Sequence, residues 1–186
     1  MPKSLIAAIL ATCAGLAQAN TYSVDPTHTF VTFEAKHFGT STLRGRFDKK
    51  EGTVSLDKAA KTGKAEITLD TTSISTGVGP LDGHLKSKDF FNAAEFPAAK
   101  FVGEKFTFSG DKVTSVEGTL TMHGKTNPVT LSATNFNCYT NPMLKREVCG
   151  GDFETTIKRS EYGVKYGLPG IPDDIRLLIQ VEAVKQ

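Results

Sequence analysis

Histidine is the residue type in this sequence with the clearest capacity for acid–base or metal chemistry, and there are four of them. His28 and His37 lie nine positions apart in one predicted strand, so their rings are on opposite faces and roughly 30 Å apart at about 3.3 Å per residue. They therefore cannot share a metal ion. His84 falls in a predicted helical segment and His123 in a predicted hairpin turn. This pattern predicts neither a catalytic centre nor a metal site.

Motifs for covalent or nucleotide chemistry do not occur either. There is no Gly-x-Ser-x-Gly nucleophile elbow and no phosphate-binding glycine loop. Glycines fall instead at turns or in mid-strand positions such as Gly45 and Gly118, where they mark a bend or leave interior space. The formal charge is +2 with both signs interspersed, which does not favour nucleic-acid binding. We expect a protein that is not an enzyme and has no cofactor and no nucleic-acid partner.

The first 19 residues have the pattern of a secretory signal peptide. Lys3 precedes an apolar run over residues 5–16, and Ala17-Gln18-Ala19 has the small-x-small form of a cleavage site. The run is shorter than the roughly 20 residues that a membrane-spanning helix needs, so we expect no stable membrane anchor. We predict cleavage after Ala19, a mature domain over residues 20–186, and a periplasmic or secreted location.

Three cysteines are present. Cys13 lies in the signal segment, and acylation there is disfavoured because the apolar stretch before it is short. Cys138 and Cys149 remain in the mature domain as an even pair, which in an exported protein predicts one disulfide bond rather than a metal site. Closing so short a loop contributes about 3 kcal/mol at most in the chain-entropy account.

From residue 20 onward, short runs rich in Val, Ile, Thr and Phe alternate apolar and polar residues, which is typical of strands. In the last run, Ile175, Leu177 and Ile179 alternate with Arg176 and Gln180. Side chains repeat every two residues along a strand, so each run has an apolar face and a polar face. There are about eight such runs. They cover residues 29–37, 43–47, 65–69, 101–108, 116–122, 129–133, 153–159 and 175–183.

One stretch departs from this period. Between residues 80 and 97 apolar residues recur at near-helical spacing behind Asp82, a candidate N-cap, so we predict one or two short helices near residues 81–92. About eight antiparallel strands avoid exposed edges by closing into a barrel. The predicted fold class is therefore all-β: an antiparallel eight-stranded barrel with this helical insertion. Such a barrel is filled by side chains or holds one small ligand.

Phenylalanine is in informative excess, with 12 Phe and no Trp. Many of these rings fall on the predicted inner faces or in the helical insertion. An apolar stripe of this kind usually forms a packed core. Periodicity alone does not distinguish a solid interior from a hollow one.

Several motifs, each weak alone, occur in an order and spacing that resemble one bacterial family. They are Asp-Pro-Thr-His-Thr at 25–29, Gly-Arg-Phe at 45–47, the segment 82–91 followed by Phe-Pro at 96–97, the segment 118–124, and Arg-Ser-Glu-Tyr-Gly at 159–163. Along essentially its whole mature length the chain resembles the YceI-like polyisoprenoid-binding proteins. The Cys138–Cys149 insert departs from the general pattern, so no role for it is carried over.

The resemblance implies a lipocalin-like barrel that sequesters a long isoprenoid lipid, of polyprenyl or quinone type, in an apolar lumen. The implied lipid-binding residues are Val31, Phe33, Leu43, Phe47, Ile67, Leu69, Phe101, Leu120, Met122, Leu131, Phe153, Ile157 and Ile179, with Leu85, Phe90 and Phe91 near the mouth. The expected head-group rim consists of His84, Lys86 and Arg159. Arg159 serves equally well as a structural partner of a carboxylate.

Two other function classes stay open. An isoprenoid-modifying enzyme would require a perturbed histidine or carboxylate beside the head group. A structural or interaction module would have a solid core and no ligand. The sequence also leaves open the identity of the lipid, whether it is transported, stored or scavenged, and whether two barrels form a homodimer.

Overall fold

A computed structural model describes residues 19–186. The predicted signal peptide therefore lies outside the described residues, apart from Ala19. Eleven strands form one antiparallel sheet: β1 Asn20–Val24, β2 Phe30–His37, β3 Ser41–Phe47, β4 Lys50–Asp57, β5 Thr62–Asp70, β6 Ile74–Ser75, β7 Ala98–Ser109, β8 Lys112–Met122, β9 Lys125–Thr140, β10 Glu147–Lys158 and β11 Asp174–Lys185. Helix α1 spans Gly79–Lys86, and two 3-10 turns cover Thr71–Ser73 and Arg159–Tyr162.

The sheet closes on itself because β11 pairs with two strands along one edge. Residues 183–185 of β11 pair with β1, and residues 176–180 pair with β2, so β1 and β2 are two halves of one strand position. Strands β3 and β4 share the next position, and β5 and β6 the one after it. Together with β7 to β11 these make a closed eight-stranded antiparallel barrel, which confirms the predicted fold class.

The two ends of the barrel are built differently. At the closed end, which carries β1, strand pairing runs continuously around the barrel. At the open end, which carries β2 and β3, strand β6 has no partner on its far side within residues 19–186, and α1 follows it. The helix is tied back because the Asp82 carboxylate accepts hydrogen bonds from the Thr76 backbone N–H at 2.7 Å and hydroxyl at 2.6 Å.

This role of Asp82 corrects the predicted N-cap. The helix begins at Gly79, three residues earlier, with Val78 in the cap position and Pro80 in the first turn. Proline suits that position because its ring fixes φ near the helical value and the missing N–H would have had no helical partner. The near-helical apolar spacing located the element correctly, but the acidic residue binds Thr76, which lies between β6 and the helix.

A solid core fills the closed end. Its buried members are Tyr22, Leu56, Val113, Val116, Phe136, Cys149, Phe153 and Ala183. Two further apolar clusters lie at the open end, one around Leu120 and Tyr162 and the other around Phe33 and Leu85. The interior is therefore packed along one half and lined, rather than filled, along the other.

The predicted disulfide bond is confirmed within this closed half. Cys138 on β9 and Cys149 on β10 are directly paired across the two strands, with Cα atoms 4.1 Å apart. A covalent link between strands that are already hydrogen-bonded reinforces the hairpin that carries part of the core. Among the described residues, no helix combines the length and apolar composition needed to cross a membrane.

A polar network lies beside this core. The buried Tyr22 hydroxyl donates to the Glu147 carboxylate at 2.5 Å, and the Lys58 ammonium donates to its other oxygen at 2.8 Å. These bonds from Lys58 and Tyr22 hold the pKa of Glu147 below its usual range, because they favour the charged carboxylate. Burial, and then the hydrogen bond to Glu147, raise the pKa of Tyr22.

We expect Glu147→Gln to reduce the acid sensitivity of the barrel. A carboxyl group whose pKa is lowered on folding adds stability above its unfolded pKa, and this stability is lost as the pH falls through the folded pKa. Wild type should therefore lose more stability than the variant from about pH 5 to about pH 3. Urea denaturation at each pH measures the difference. Glu154→Gln, which removes an exposed carboxylate paired with Arg176, is the control and should follow wild type; equal pH slopes for wild type and Glu147→Gln would contradict the assignment.

Candidate functional site

An apolar cavity of about 890 Å³ opens at the open end of the barrel. Much of its wall comes from alternate residues of the surrounding strands: on β2, Val31, Phe33, Ala35 and His37 line it, joined by Lys36. This is the period-two pattern that the sequence predicted, since every second side chain of a strand points to the same face. Further strand residues of the wall lie on β3, β5, β7, β8, β10 and β11.

Helix α1 and the turn after it cover one side of the cavity. Leu85 on α1 is buried, and Phe91 brings its ring against two strand residues. The Phe91 ring centroid lies 5.5 Å from that of Phe47 and 6.5 Å from that of Phe33. Offset and edge-on aromatic pairs of this kind are favourable beyond their buried area. The three rings join the helical insertion to β2 and β3.

Gly45 explains how one of these rings fits. It is paired with Phe33 across β2 and β3, and a methyl group at Gly45 would collide with the Phe33 ring. The absent side chain thus lets the ring lie over the neighbouring strand. Of the two roles that the sequence suggested for mid-strand glycines, interior space is the one seen here, and an aromatic ring occupies it.

Eleven of the sixteen residues implied as lipid-binding line the cavity. They are Val31, Phe33, Leu43, Phe47, Leu69, Leu85, Phe90, Phe91, Leu120, Met122 and Ile157. They come from strands that are distant in sequence and from the helical insertion. The barrel brings all of them to one end.

The other five lie outside the cavity lining. Phe153 belongs to the solid core, and Phe101, Leu131 and Ile179 pack between that core and the clusters at the open end. Ile67 is half-buried on β5. The physical reason is depth along the barrel: alternation identifies which residues face inward, but strands run its full length whereas the cavity occupies one half.

The expected rim residues have three different environments. His84 lines the cavity, and its ring donates to the Asp89 carboxylate with 2.9 Å between Nε2 and Oδ2. The same ring packs edge-on against Phe90 and Tyr166, with centroids 5.0 and 5.1 Å away. Lys86 lies outside the cavity lining.

Arg159 touches the cavity but its charged group is directed into the protein. Only 4% of it is exposed, and burial lowers the pKa of its guanidinium while the charge of Asp173 opposes that effect. The guanidinium donates at 2.8–3.2 Å to four backbone carbonyl oxygens, those of Val164, Tyr166, Ile171 and Pro172. Its partners are carbonyls rather than the carboxylate that the sequence suggested. Arg159 therefore holds the loop of residues 163–173 in place.

The 163–173 loop is one part of the cavity wall that sequence reasoning missed, as it missed Phe38 and Ala99. Val164, Tyr166, Gly167 and Ile171 all line the cavity. The loop has no regular period, so no face could be assigned to it. Ile175 and Leu177 also line the cavity, and for these two the alternation in the last strand was a usable signal.

Architecture and cavity together define a class: a lipocalin-like binding barrel with one apolar site. A profile of the YceI-like domain matches residues 22–183. The protein YceI of Escherichia coli O157:H7 is 35% identical over an alignment of 192 residues. The alignment covers 100% of each chain. The chain belongs to the YceI-like family.

Solved structures agree with this assignment. The YceI protein of Campylobacter jejuni superposes with a TM-score of 0.72 at 27% identity, covering 81% of this chain and 90% of that one. A polyisoprenoid binding domain from Saccharophagus degradans gives a TM-score of 0.64 at 17% identity, covering 89% and 98%. The second similarity establishes a shared fold.

Comparing the stabilities of two variants tests whether Arg159 has a structural role or only a surface role at the rim. Arg159→Leu should lower the free energy of unfolding by about 3 kcal/mol or more, because buried carbonyls lose a charged donor. Lys86→Ala should change it by less than about 0.5 kcal/mol. Chemical denaturation of both variants measures this. Similar small effects for the two would show that Arg159 does not hold the loop.

Proposed function

We propose that this protein is a periplasmic or secreted carrier that sequesters one long-chain isoprenoid lipid, of polyprenyl or quinone type, in the cavity of its barrel. The observation that carries the proposal is the cavity itself: about 890 Å³, lined almost throughout by aliphatic and aromatic side chains. A solid-core module would have no such space. The cavity therefore argues against the structural alternative.

The size of the cavity suits a tail of tens of carbon atoms. If each carbon group takes about the 30 Å³ that a water molecule occupies in the liquid, the space accommodates roughly 30 of them. Burying each methylene-sized group contributes about 0.8 kcal/mol. The gross gain therefore reaches the limit of non-covalent affinity without any charged anchor.

A head group would lie at the rim near His84. This ring forms part of the cavity wall, and its pairing with Asp89 fixes its orientation. The Asp89 carboxylate accepts hydrogen bonds, so it suits a hydroxyl head group. Arg159 is not available for that purpose, since its guanidinium is committed to backbone carbonyls.

An isoprenoid-modifying enzyme would have to use the same rim. His37 and His84 line the cavity, whereas the His123 ring bonds to the Tyr162 carbonyl at 3.0 Å. The family and its polyisoprenoid-binding fold neighbour favour binding over catalysis. Location outside the cytoplasm is supported by the signal-like residues 1–19 and by the Cys138–Cys149 disulfide.

Native mass spectrometry of protein purified without detergent tests the proposal directly. We expect a population heavier than the mature chain by the mass of one lipid. Organic extraction followed by mass analysis should then yield an isoprenoid. Protein that carries no added mass, and that takes up none when incubated with a polyprenol, would refute the proposed function.

A variant with a partly filled cavity should bind lipids with shorter tails or bind no lipid. Ala99 is a buried wall residue on β7, and Ala99→Trp places a large ring in the lumen at a cost of about 1–3 kcal/mol. The bound mass should shift towards shorter tails or disappear. Lys100→Trp is the control, because Lys100 is exposed on the outer face and pairs with Glu66. An unchanged bound mass in Ala99→Trp would show that the lipid lies elsewhere.

A further inference from the structure

Large apolar side chains are exposed around the mouth of the cavity. Phe38, in the turn between β2 and β3, is 66% exposed, and Tyr166 and Leu168, in the 163–173 loop, are 50% and 37% exposed. Phe38 and Tyr166 also line the cavity. The apolar interior therefore continues without a break onto the outer surface of the protein.

These residues are held in place rather than loosely attached. The Phe38 ring packs against Gly170 of the 163–173 loop and lies edge-on to His37, with ring centroids 4.8 Å apart. Tyr166 packs against His84 and Phe90, with its ring centroid 5.1 and 5.3 Å from theirs. The turn, the loop and the segment after α1 thus form one continuous surface, which we call the apolar rim.

The backbone at Phe38 is unusual for its residue type. Its φ is +49°, in the left-handed region that bulky side chains rarely adopt. A glycine follows immediately at position 39 and would suit such a conformation better. The fold therefore presents an aromatic ring to solvent in a backbone conformation that disfavours it.

Three lysines without salt-bridge partners among the described residues flank the apolar rim. Lys36 near the end of β2, Lys88 after α1 and Lys165 in the 163–173 loop are exposed, and none makes a salt bridge with any residue in the range 19–186. The carboxylates nearby, Asp82, Asp89 and Asp173, keep their negative charge but form hydrogen bonds with Thr76, His84 and Ser160 and do not pair with these lysines. Exposed apolar groups flanked by unpaired lysines are the combination that binds anionic lipid surfaces.

We propose that the apolar rim docks on the surface of an anionic phospholipid bilayer, with Phe38, Tyr166 and Leu168 inserted among the lipids and the three lysines on their head groups. This inference rests on the proposed function, because a long apolar lipid resides in membranes and its exchange requires the cavity mouth to reach them. Docking through the rim places the mouth against the bilayer, so the tail passes from one apolar environment to another with little exposure to water.

The test is flotation of the purified mature protein with vesicles of phosphatidylcholine and phosphatidylglycerol, compared with vesicles of phosphatidylcholine alone. Wild type should float with the anionic vesicles, and added salt should release it. The double variant Phe38→Ser, Leu168→Ser should bind about tenfold more weakly or worse, since two apolar anchors are lost. Each substitution of Lys36, Lys88 or Lys165 by Gln should weaken binding about fivefold.

The matched control is Met143→Ser. Met143 is 90% exposed in the turn between β9 and β10, at the closed end of the barrel. The substitution therefore removes an exposed apolar side chain far from the mouth. This variant should float like wild type. Equal binding by the rim double variant and wild type, or equal loss in Met143→Ser, would overturn the docking proposal.

Lipid content measured on the same samples separates the two proposals. Wild type that carries an isoprenoid but does not float with anionic vesicles refutes docking and leaves the carrier function intact. Wild type that floats but neither carries nor takes up an isoprenoid refutes the carrier function. Analytical ultracentrifugation tests whether the apolar rim binds a second copy of the protein instead of a bilayer. A dimer that is lost in the double variant Phe38→Ser, Leu168→Ser but kept in Met143→Ser would overturn docking on a bilayer.

Discussion

The architecture depends on the backbone hydrogen bonds that one edge of β11 makes with two successive strands. Unpaired strand edges are costly, so both β1 and β2 must find partners, and β11 is long enough to supply them. Three successive strand positions are each occupied by two short strands: β1 and β2, β3 and β4, and β5 and β6. This division lets the same sheet close tightly at one end and spread at the other. At the spread end a helix and a loop, rather than strands, complete the wall.

This division separates stability from binding. An unfilled interior costs stability, because the side chains that line it lack packing partners. The closed half offsets that cost with a continuous apolar core, a disulfide bond and the Tyr22–Glu147–Lys58 network. The open half is then free to remain hollow. Its polar groups mostly maintain structure: Arg159 holds the 163–173 loop, and Asp82 ties α1 to the sheet.

Such a site recognises shape and apolar area rather than a pattern of charges. One extra or missing methylene changes the binding free energy in a hydrophobic pocket by about 1–3 kcal/mol, so the length of the cavity selects the tail more strongly than the rim selects the head group. The apolar lining continues onto the exposed surface, so recognition by apolar area extends to the mouth of the cavity. Polar selection would instead need buried, pre-oriented donors, and the buried cation Arg159 already donates to four backbone carbonyls.

The amino-acid sequence by itself determined the strand periodicity, the inward faces, the helical insertion, the disulfide pair and the family. The periodicity, the faces and the insertion are local patterns, fixed by side-chain alternation and by residues close together in the chain. The disulfide pair follows from the even cysteine count, and the family from the order of short motifs along the chain. Only the tertiary structure decided how deep the cavity reaches, which excluded Phe101, Phe153 and Ile179 from its wall, and that the irregular 163–173 loop completes it. Depth along a barrel depends on strand register and on which strands share a position. Those are contacts between distant segments, and alternation within one strand carries no information about them.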